Sequence, residues 1–323
     1  MRFVIVGVGA IGGTLAVTLS NAGFEVAAIA RGSQLAAIRE NGLTLKTPRG
    51  DHHARFDCAE DAASLGLNAG DIILLCVKSQ DTEAALDSLL AAGAVNQPIF
   101  CMQNGVANER MALRYFDNVY AVAVMLPSEF LSPGTICAFG TPQPAIFDIG
   151  RYPSGRDETV ETVVDAFNRA GLISTARDNA ISFKYGKLLL NLRNVLVAAS
   201  PDKDIQNAWL ERARQEAIAA YDAAGIDWTD VGWDDPRRVE HMSMGEIPGV
   251  ARTGSSSLQS LLRNTGSIET DYLNGEIVML GRLHGAPTPV NAALCRIARK
   301  LVAGELALGK VSEADMEAEL APH

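Results

Sequence analysis

The chain has 323 residues, 48% of them apolar and 20% charged, with a formal net charge of −10. That length suits two domains better than one small core. The acidic balance repels phosphate backbones and argues against nucleic acid as a partner, and the roughly 18 uninterrupted apolar residues of a membrane span occur nowhere. "RFVIV" reads as a short buried strand ended by glycine, and "AIGGTLAVTLSNAG" as a helix closed by Gly23. "FEVAAIA" is a second buried strand, and "SQLAAIRENG" a short helix with Ser33 as N-cap and Gly42 at its end. "LTLKTPRGDHHARFDC" alternates around a Pro-Arg-Gly turn and predicts a hairpin. "DIILLCV", "PIFCM" and "NVYAVAVML" are further buried strands, with the helix "DTEAALDSLLAAG" between the first two. Strands alternating with helices imply a mostly parallel sheet covered on both faces.

Past Pro127 the character changes. "SPGTICAFGTPQPAIFDIG" predicts a hairpin or edge strands, a helix follows at 156–170, and from Asn179 nearly everything reads as helix. The expected organisation is an N-terminal α/β domain over 1–178 and an all-α C-terminal domain over 179–323.

"GVGAIG" places Gly7, Gly9 and Gly12 in the spacing GxGxxG, with Ala10 and Ile11 between, after a strand and at the start of a helix. In that context the first glycine permits a tight turn, the second admits a pyrophosphate, and the third lets helix and strand pack closely. The helix N-terminus then faces the anion with free N–H groups. This is the dinucleotide-binding arrangement of a Rossmann-type, doubly wound sheet. An NAD site usually carries an acidic residue at the end of the second strand. Here that place holds Ala30 and then Arg31. A guanidinium there suits a 2′-phosphate, so NADP is favoured over NAD. Lys78, in "CVKSQ", and Asn104, in "CMQNG", fall on the same carboxyl edge of the sheet. On position alone Lys78 reads equally as a cofactor contact or a solvated lysine, and Asn104-Gly105 reads as a turn.

In "GKLLLNLRN" the polar residues form one line. Asn191 is four residues and Asn194 seven residues after Lys187, and Lys184 extends the stripe. Leucines 188, 189, 190 and 192 cover the other sides. A narrow polar stripe on an apolar helix points to a cleft wall. "SSSLQS" opens another helix with a serine as cap, and "SIETDYLNGEIVMLGRLHG" reads as one long helix with Glu269 near its start. No histidine or acidic spacing suggests a metal, and no G-x-S-x-G is present. Five cysteines without a CxxC pair fit a reducing cytoplasm.

The order of these motifs resembles the ketopantoate reductases (2-dehydropantoate 2-reductases) over nearly the whole chain. "GVGAIG", Arg31, "VKSQ", "QNG", "KLLLN", "SSSLQ", "ETDYLNG" and the closing "HG...P" carry the resemblance. It implies an NADPH-binding domain, a helical substrate domain and reduction of a 2-oxo acid in pantothenate biosynthesis. Lys187 would be the general acid, and Asn191 and Ser256 would contact substrate. Asn104 would position cofactor and substrate. Glu269 would engage the substrate hydroxyl or the lysine, and Arg31 and Lys78 the phosphorylated cofactor. The partners are then NADPH and a small 2-oxo acid, with a homodimer left open.

Three departures fall on the substrate side. The family's second asparagine, eight residues after the lysine, is Val195 here, and Asn194 comes one residue early, turned by about 100° on a helix. "VMLPSEFLSPG" lacks a Gly/Thr-containing run, and one residue is inserted between "SSSLQ" and Glu269. Other readings of the same scaffold are a D-2-hydroxyacid dehydrogenase, a 6-phosphogluconate-type dehydrogenase and a non-catalytic NADP-binding regulator. The last predicts a broken helical site, which intact Lys187, Asn191 and Glu269 oppose. Segment 227–252 reads equally as a lid or a long inter-helix connection, and closure of it or of 124–134 over the site is left open.

Overall fold

The computed structural model describes residues 1–232, 234–263 and 266–320. The chain forms two compact units. Unit 1 comprises residues 1–103, 108–184 and 231–251, and unit 2 comprises 104–107, 185–230 and 252 onward.

Unit 1 begins with β1 (Arg2–Val6), α1 (Ala10–Asn21) and β2 (Glu25–Ile29), followed by α2 (Gly32–Asn41). Both strands bury every residue after their first, which is why they read as unbroken apolar runs. β3 (Leu43–Thr47) and β4 (Gly50–Ala54) form the expected hairpin around Pro48 and Arg49. β5 (Asp57–Ala59), α3 (Ala62–Leu65), β6 (Asp71–Leu75), α4 (Thr82–Ala91), β7 (Ile99–Cys101), α5 (Asn108–Ala112) and β8 (Val119–Met125) follow. β9 (Ser128–Ser132) and β10 (Thr135–Ala138) make an antiparallel hairpin, and β11 (Gly140–Pro142) leads to β12 (Ile146–Arg151), α6 (Glu158–Arg169) and β13 (Ile173–Ala176).

The main sheet has eight strands in the order β13-β12-β8-β7-β6-β1-β2-β5. Neighbours are parallel except β12 and β8. It extends past the strands expected from sequence at both edges. β12 is not a satellite edge strand: five of its six residues are buried, so it needs cover on both faces and enters the main sheet. From β1 the chain builds first toward β2 and β5, then on the other side toward β6, β7 and β8. That reversal at β1 is the switch point at which open α/β sheets bind ligands, beyond the strands' carboxyl ends. Ser33 is not a cap. α2 starts at Gly32 with Arg31 in the cap position and no side-chain cap bond.

α7 (Ala180–Asn191) spans the division of the units, which falls between Lys184 and Tyr185; the break expected from sequence was at Asp178. α8 (Arg193–Ala199) and α9 (Lys203–Ala224) follow. α10 (Pro236–His241) and β14 (Met242–Met244) belong to unit 1, where β14 pairs with β11. Arg237 bonds the buried Asp148 at 2.8 and 3.1 Å. The segment 227–252, read from sequence as either a lid or a long inter-helix connection, thus carries regular structure tied into unit 1, and its Trp233 lies outside the described residues. The other, 124–134, contains β9.

Unit 2 continues with α11 (Ser256–Leu262), a 3₁₀ turn at Glu269–Tyr272, α12 (Asn274–His284), α13 (Pro289–Ala303) and α14 (Glu313–Ala318). α12 packs on α9 and α13, and α8 on α9, α11 and α13. The long helix expected through Glu269 is broken at Leu273, whose φ and ψ of −113° and −88° are non-helical. Asn274 begins α12 and is fixed by its amide, which donates to Asn291 Oδ1 at 3.1 Å. No helix among the described residues is long and apolar enough to cross a membrane.

Candidate active site

The parallel register sets four strand ends side by side. Val6 pairs with Ile29 and with Leu75, and Leu75 pairs with Cys101. The residues that follow are the glycine loop, Ala30-Arg31, Cys76-Val77-Lys78 and Met102-Gln103. Sequence order alone thus delivers the cofactor-type residues to one edge.

The glycines are required for different reasons. Gly7 has φ +99°, and a Cβ there would lie 2.9 Å from Val77 Cγ1. A Cβ on Gly12 would sit 2.1 Å from the Gly7 carbonyl oxygen. On Gly9 it would meet nothing within 4 Å, so the backbone faces open space there. α1 starts at Ala10 with no side-chain cap at Gly9, so its first N–H groups, from Ala10 onward, lack intrahelical acceptors. An open glycine beside uncapped N–H donors fits a dinucleotide pyrophosphate.

The loop has an anchor that sequence reading did not find. Buried Gln34 donates to the Val8 carbonyl at 3.0 Å and accepts from the Gly134 N–H at 2.8 Å. Arg31 is exposed at the start of α2. The nearby Asp61 carboxyl is held below its usual range, first by the Ser64 N–H and in smaller part by the Arg31 charge. Lys78 is half-buried and directly precedes the 3₁₀ turn Ser79–Asp81, with no side-chain cap bond.

Lys184 departs from expectation. It is 2% exposed and ion-paired with Glu109, which is fully buried. Its ammonium also donates to the Gln103 carbonyl at 3.0 Å. It is therefore an interior residue of unit 1, not part of an open polar stripe. Burial pushes the Glu109 carboxyl up, and the Lys184 ammonium pulls against that shift.

In unit 2, Lys187 is half-buried on α7 and Asn191 is its last residue. Asn191 is 5% exposed, and its amide nitrogen has no hydrogen-bond partner among the described residues. Asn194 lies on the next helix, α8. Its amide donates to Ser256 Oγ at 3.2 Å, while Ser255 Oγ donates to the Asn194 carbonyl at 2.6 Å. Ser255 also caps α11 by accepting from the Leu258 N–H. Two expected substrate residues, Asn194 and Ser256, are thus joined, and Val195 is fully buried in the core. Asn104 precedes Gly105, which has φ +77°, and a Cβ on Gly105 would lie 2.9 Å from the Tyr272 carbonyl. Within unit 2, Gly105 therefore abuts the 3₁₀ turn that carries Glu269, itself 8% exposed.

A cavity of about 500 Å³ on unit 1, lined by residues such as Thr47, Arg49 and Arg169, contains none of the expected site residues. Among the described residues no group of three or more His, Cys, Asp or Glu side chains is arranged to hold a metal.

Comparison with known proteins agrees with this arrangement. The family "Ketopantoate reductase PanE/ApbA" matches residues 3–153, and its C-terminal counterpart matches 188–302. A 2-dehydropantoate 2-reductase of Pyrococcus horikoshii is 27% identical, covering 91% of this chain and 95% of its own. The crystal structure of a PanE/ApbA family ketopantoate reductase from Ralstonia eutropha is 28% identical, with TM-score 0.79, over 94% of this chain and 99% of the other. A D-mandelate dehydrogenase solved with NADH and anilino(oxo)acetate shares the fold, with TM-score 0.78 at 20% identity over 94% and 99%. With both halves matched in order and the glycine loop in its switch-point setting, the chain belongs to the ketopantoate reductase family.

Proposed function

We propose that the protein reduces the ketone of a 2-oxo acid, ketopantoate or a close analogue, to the 2-hydroxy acid with NADPH. When bound, NADPH supplies the hydride. Gly7, Gly9, Ala10, Ile11 and Gly12 would hold its pyrophosphate, and Arg31 and Lys78 its 2′-phosphate side. Unit 1 would do the cofactor work and unit 2 the substrate work. As the carbonyl carbon gains hydride, negative charge builds on its oxygen. The Lys187 ammonium would stabilise that oxygen and then give it a proton, completing the hydroxyl. Asn191, Asn194 and Ser256 would hold the acid through neutral donors, Asn104 would orient cofactor and substrate, and Glu269 would engage the hydroxyl or Lys187. Five free cysteines favour a cytoplasmic setting.

One observation carries this reading: the Asn191 amide nitrogen, buried without a partner one helical turn from Lys187. Burying an unmade hydrogen bond costs about 1–3 kcal/mol, a cost a carboxylate ligand would offset. The test is a 2-oxo acid panel with NADPH and NADH. Turnover of ketopantoate with NADPH is expected. Turnover of other ketoacids alone would reject ketopantoate and keep the chemistry, and no turnover would reject the reductase.

Replacing Arg31 with aspartate is expected to move the NADPH-to-NADH ratio of kcat/KM toward NADH by roughly ten- to a hundredfold, since a hydrogen bond to a charged group contributes about 1.5–3 kcal/mol. An unchanged ratio would remove the argument for the phosphorylated cofactor.

A further inference from the structure

Lys184 and Glu109 pose a problem of cost. Their side chains are 2% and 0% exposed. Taking two charges out of water costs as much as the pair regains, and apolar residues of similar size often do as well or better. Two oxygens of the cluster, Glu109 Oε2 and Gln103 Oε1, also lack partners among the described residues. A half-satisfied buried network is not what stability alone selects.

What the pair does that leucines would not is make directed bonds. The Lys184 ammonium donates to Glu109 and to the Gln103 carbonyl, the last before Asn104. The Gln103 amide donates to Thr82 Oγ1 at 2.7 Å, and the Thr82 hydroxyl donates to Asn108 Oδ1 at 2.8 Å. The Asn108 amide donates to Ser79 Oγ at 3.1 Å. Ser79 follows Lys78 directly. One buried chain of hydrogen bonds therefore runs from α7 to the turn after β7, the start of α5 and the turn after β6.

We propose that Lys184 and Glu109 are a positioning pair whose hydrogen-bond chain through Gln103, Thr82 and Asn108 fixes the two sheet-edge turns that lead into Asn104 and out of Lys78. Neither residue needs to touch a ligand. The clamp rests on the reading of Lys78 and Asn104 as ligand contacts given above.

The test uses two variants. Lys184→Met/Glu109→Met removes both charges at once and leaves no buried ion unpaired. Thr82→Val keeps the ion pair and the shape but cuts the chain in its middle. NADPH affinity is read by fluorescence titration and turnover by kcat and KM separately, with thermal unfolding as the control for structure. The double variant is expected to stay folded and lose about ten- to a hundredfold in kcat, the scale of a small misplacement of reacting groups. Thr82→Val removes the bonds that the Gln103 amide and Asn108 Oδ1 make to residue 82. It is expected to lower the unfolding temperature by several degrees while staying folded, and to raise the NADPH Kd several-fold at a temperature well below that transition. A folded double variant with kcat, KM and Kd within twofold of the parent would overturn the proposal. So would a silent Thr82→Val, which decides alone if the double variant does not fold. The Kd needs no turnover. A wild type inactive on every 2-oxo acid would thus reject the reductase reading, while a raised Kd in Thr82→Val would still support the clamp.

Discussion

Replacing Lys187 with alanine is expected to lower kcat by about 10²–10⁴-fold, the usual contribution of a positioned general acid. NADPH affinity is expected to stay within about twofold, because the expected cofactor-holding glycines and Arg31 lie elsewhere in the chain. Hydride addition leaves an alkoxide that water alone protonates from a poorly placed position. An ammonium held at that oxygen both stabilises the charge and removes it. Lys187→Arg separates the two roles. It keeps the positive charge, but its guanidinium does not give up a proton at any ordinary pH, so it is expected to recover substrate KM and little of kcat. Steady-state kcat at saturating acid, with Kd for NADPH measured separately, checks both. A kcat for the alanine variant within threefold of the parent would remove Lys187 from the chemistry.

How much of this was legible in the sequence depended on the range of each contact. Gly7 and Gly12 were legible because their constraint is local: one turn, with one glycine's carbonyl against the other's α-carbon. That Lys187 and Asn191 share one side of α7 was legible because four residues on a helix define one face. Lys184 was placed on the same face and misread. Its partner Glu109 is 75 residues away, and helical spacing says nothing about a neighbour on another element. Gln34 was missed for the same reason, since the Gly134 N–H it accepts from is 100 residues off. The sequence around β12 shows strand and turn residues but not which sheet the strand joins, which its burial on both faces decides. The helix expected through Glu269 failed at Leu273, where Asn274 is held by Asn291 of α13 and the chain turns before α12.

Gly186→Ala is expected to lower the unfolding temperature and kcat together, against the sign that helix propensity gives. Glycine inside a helix is worse than alanine by about 1 kcal/mol, so alanine at an interior position of α7 would ordinarily be stabilising. At 186, however, an added Cβ would lie 1.7 Å from the Thr229 carbonyl oxygen and 2.8 Å from its carbon. Both are backbone atoms, so no side chain can swing aside; α7 or the 229 backbone must move. Overpacking of this kind costs about 1–3 kcal/mol and occasionally more, which exceeds the propensity gain. At about 2–4 °C per kcal/mol for a unit of this size, a fall of several degrees is expected. The next residue is Lys187, and a shift of about 1 Å in a reacting group costs on the order of 10²-fold in rate, so kcat should fall with stability. Gly275→Ala in α12 is the control. Its Cβ would meet the Thr270 carbonyl oxygen at 3.5 Å, an ordinary contact. There the propensity term is unopposed, and the unfolding temperature is expected to hold or rise. Scanning calorimetry of the two variants beside the parent decides the point. If both move the same way, close packing of α7 on Thr229 is not what keeps glycine at 186.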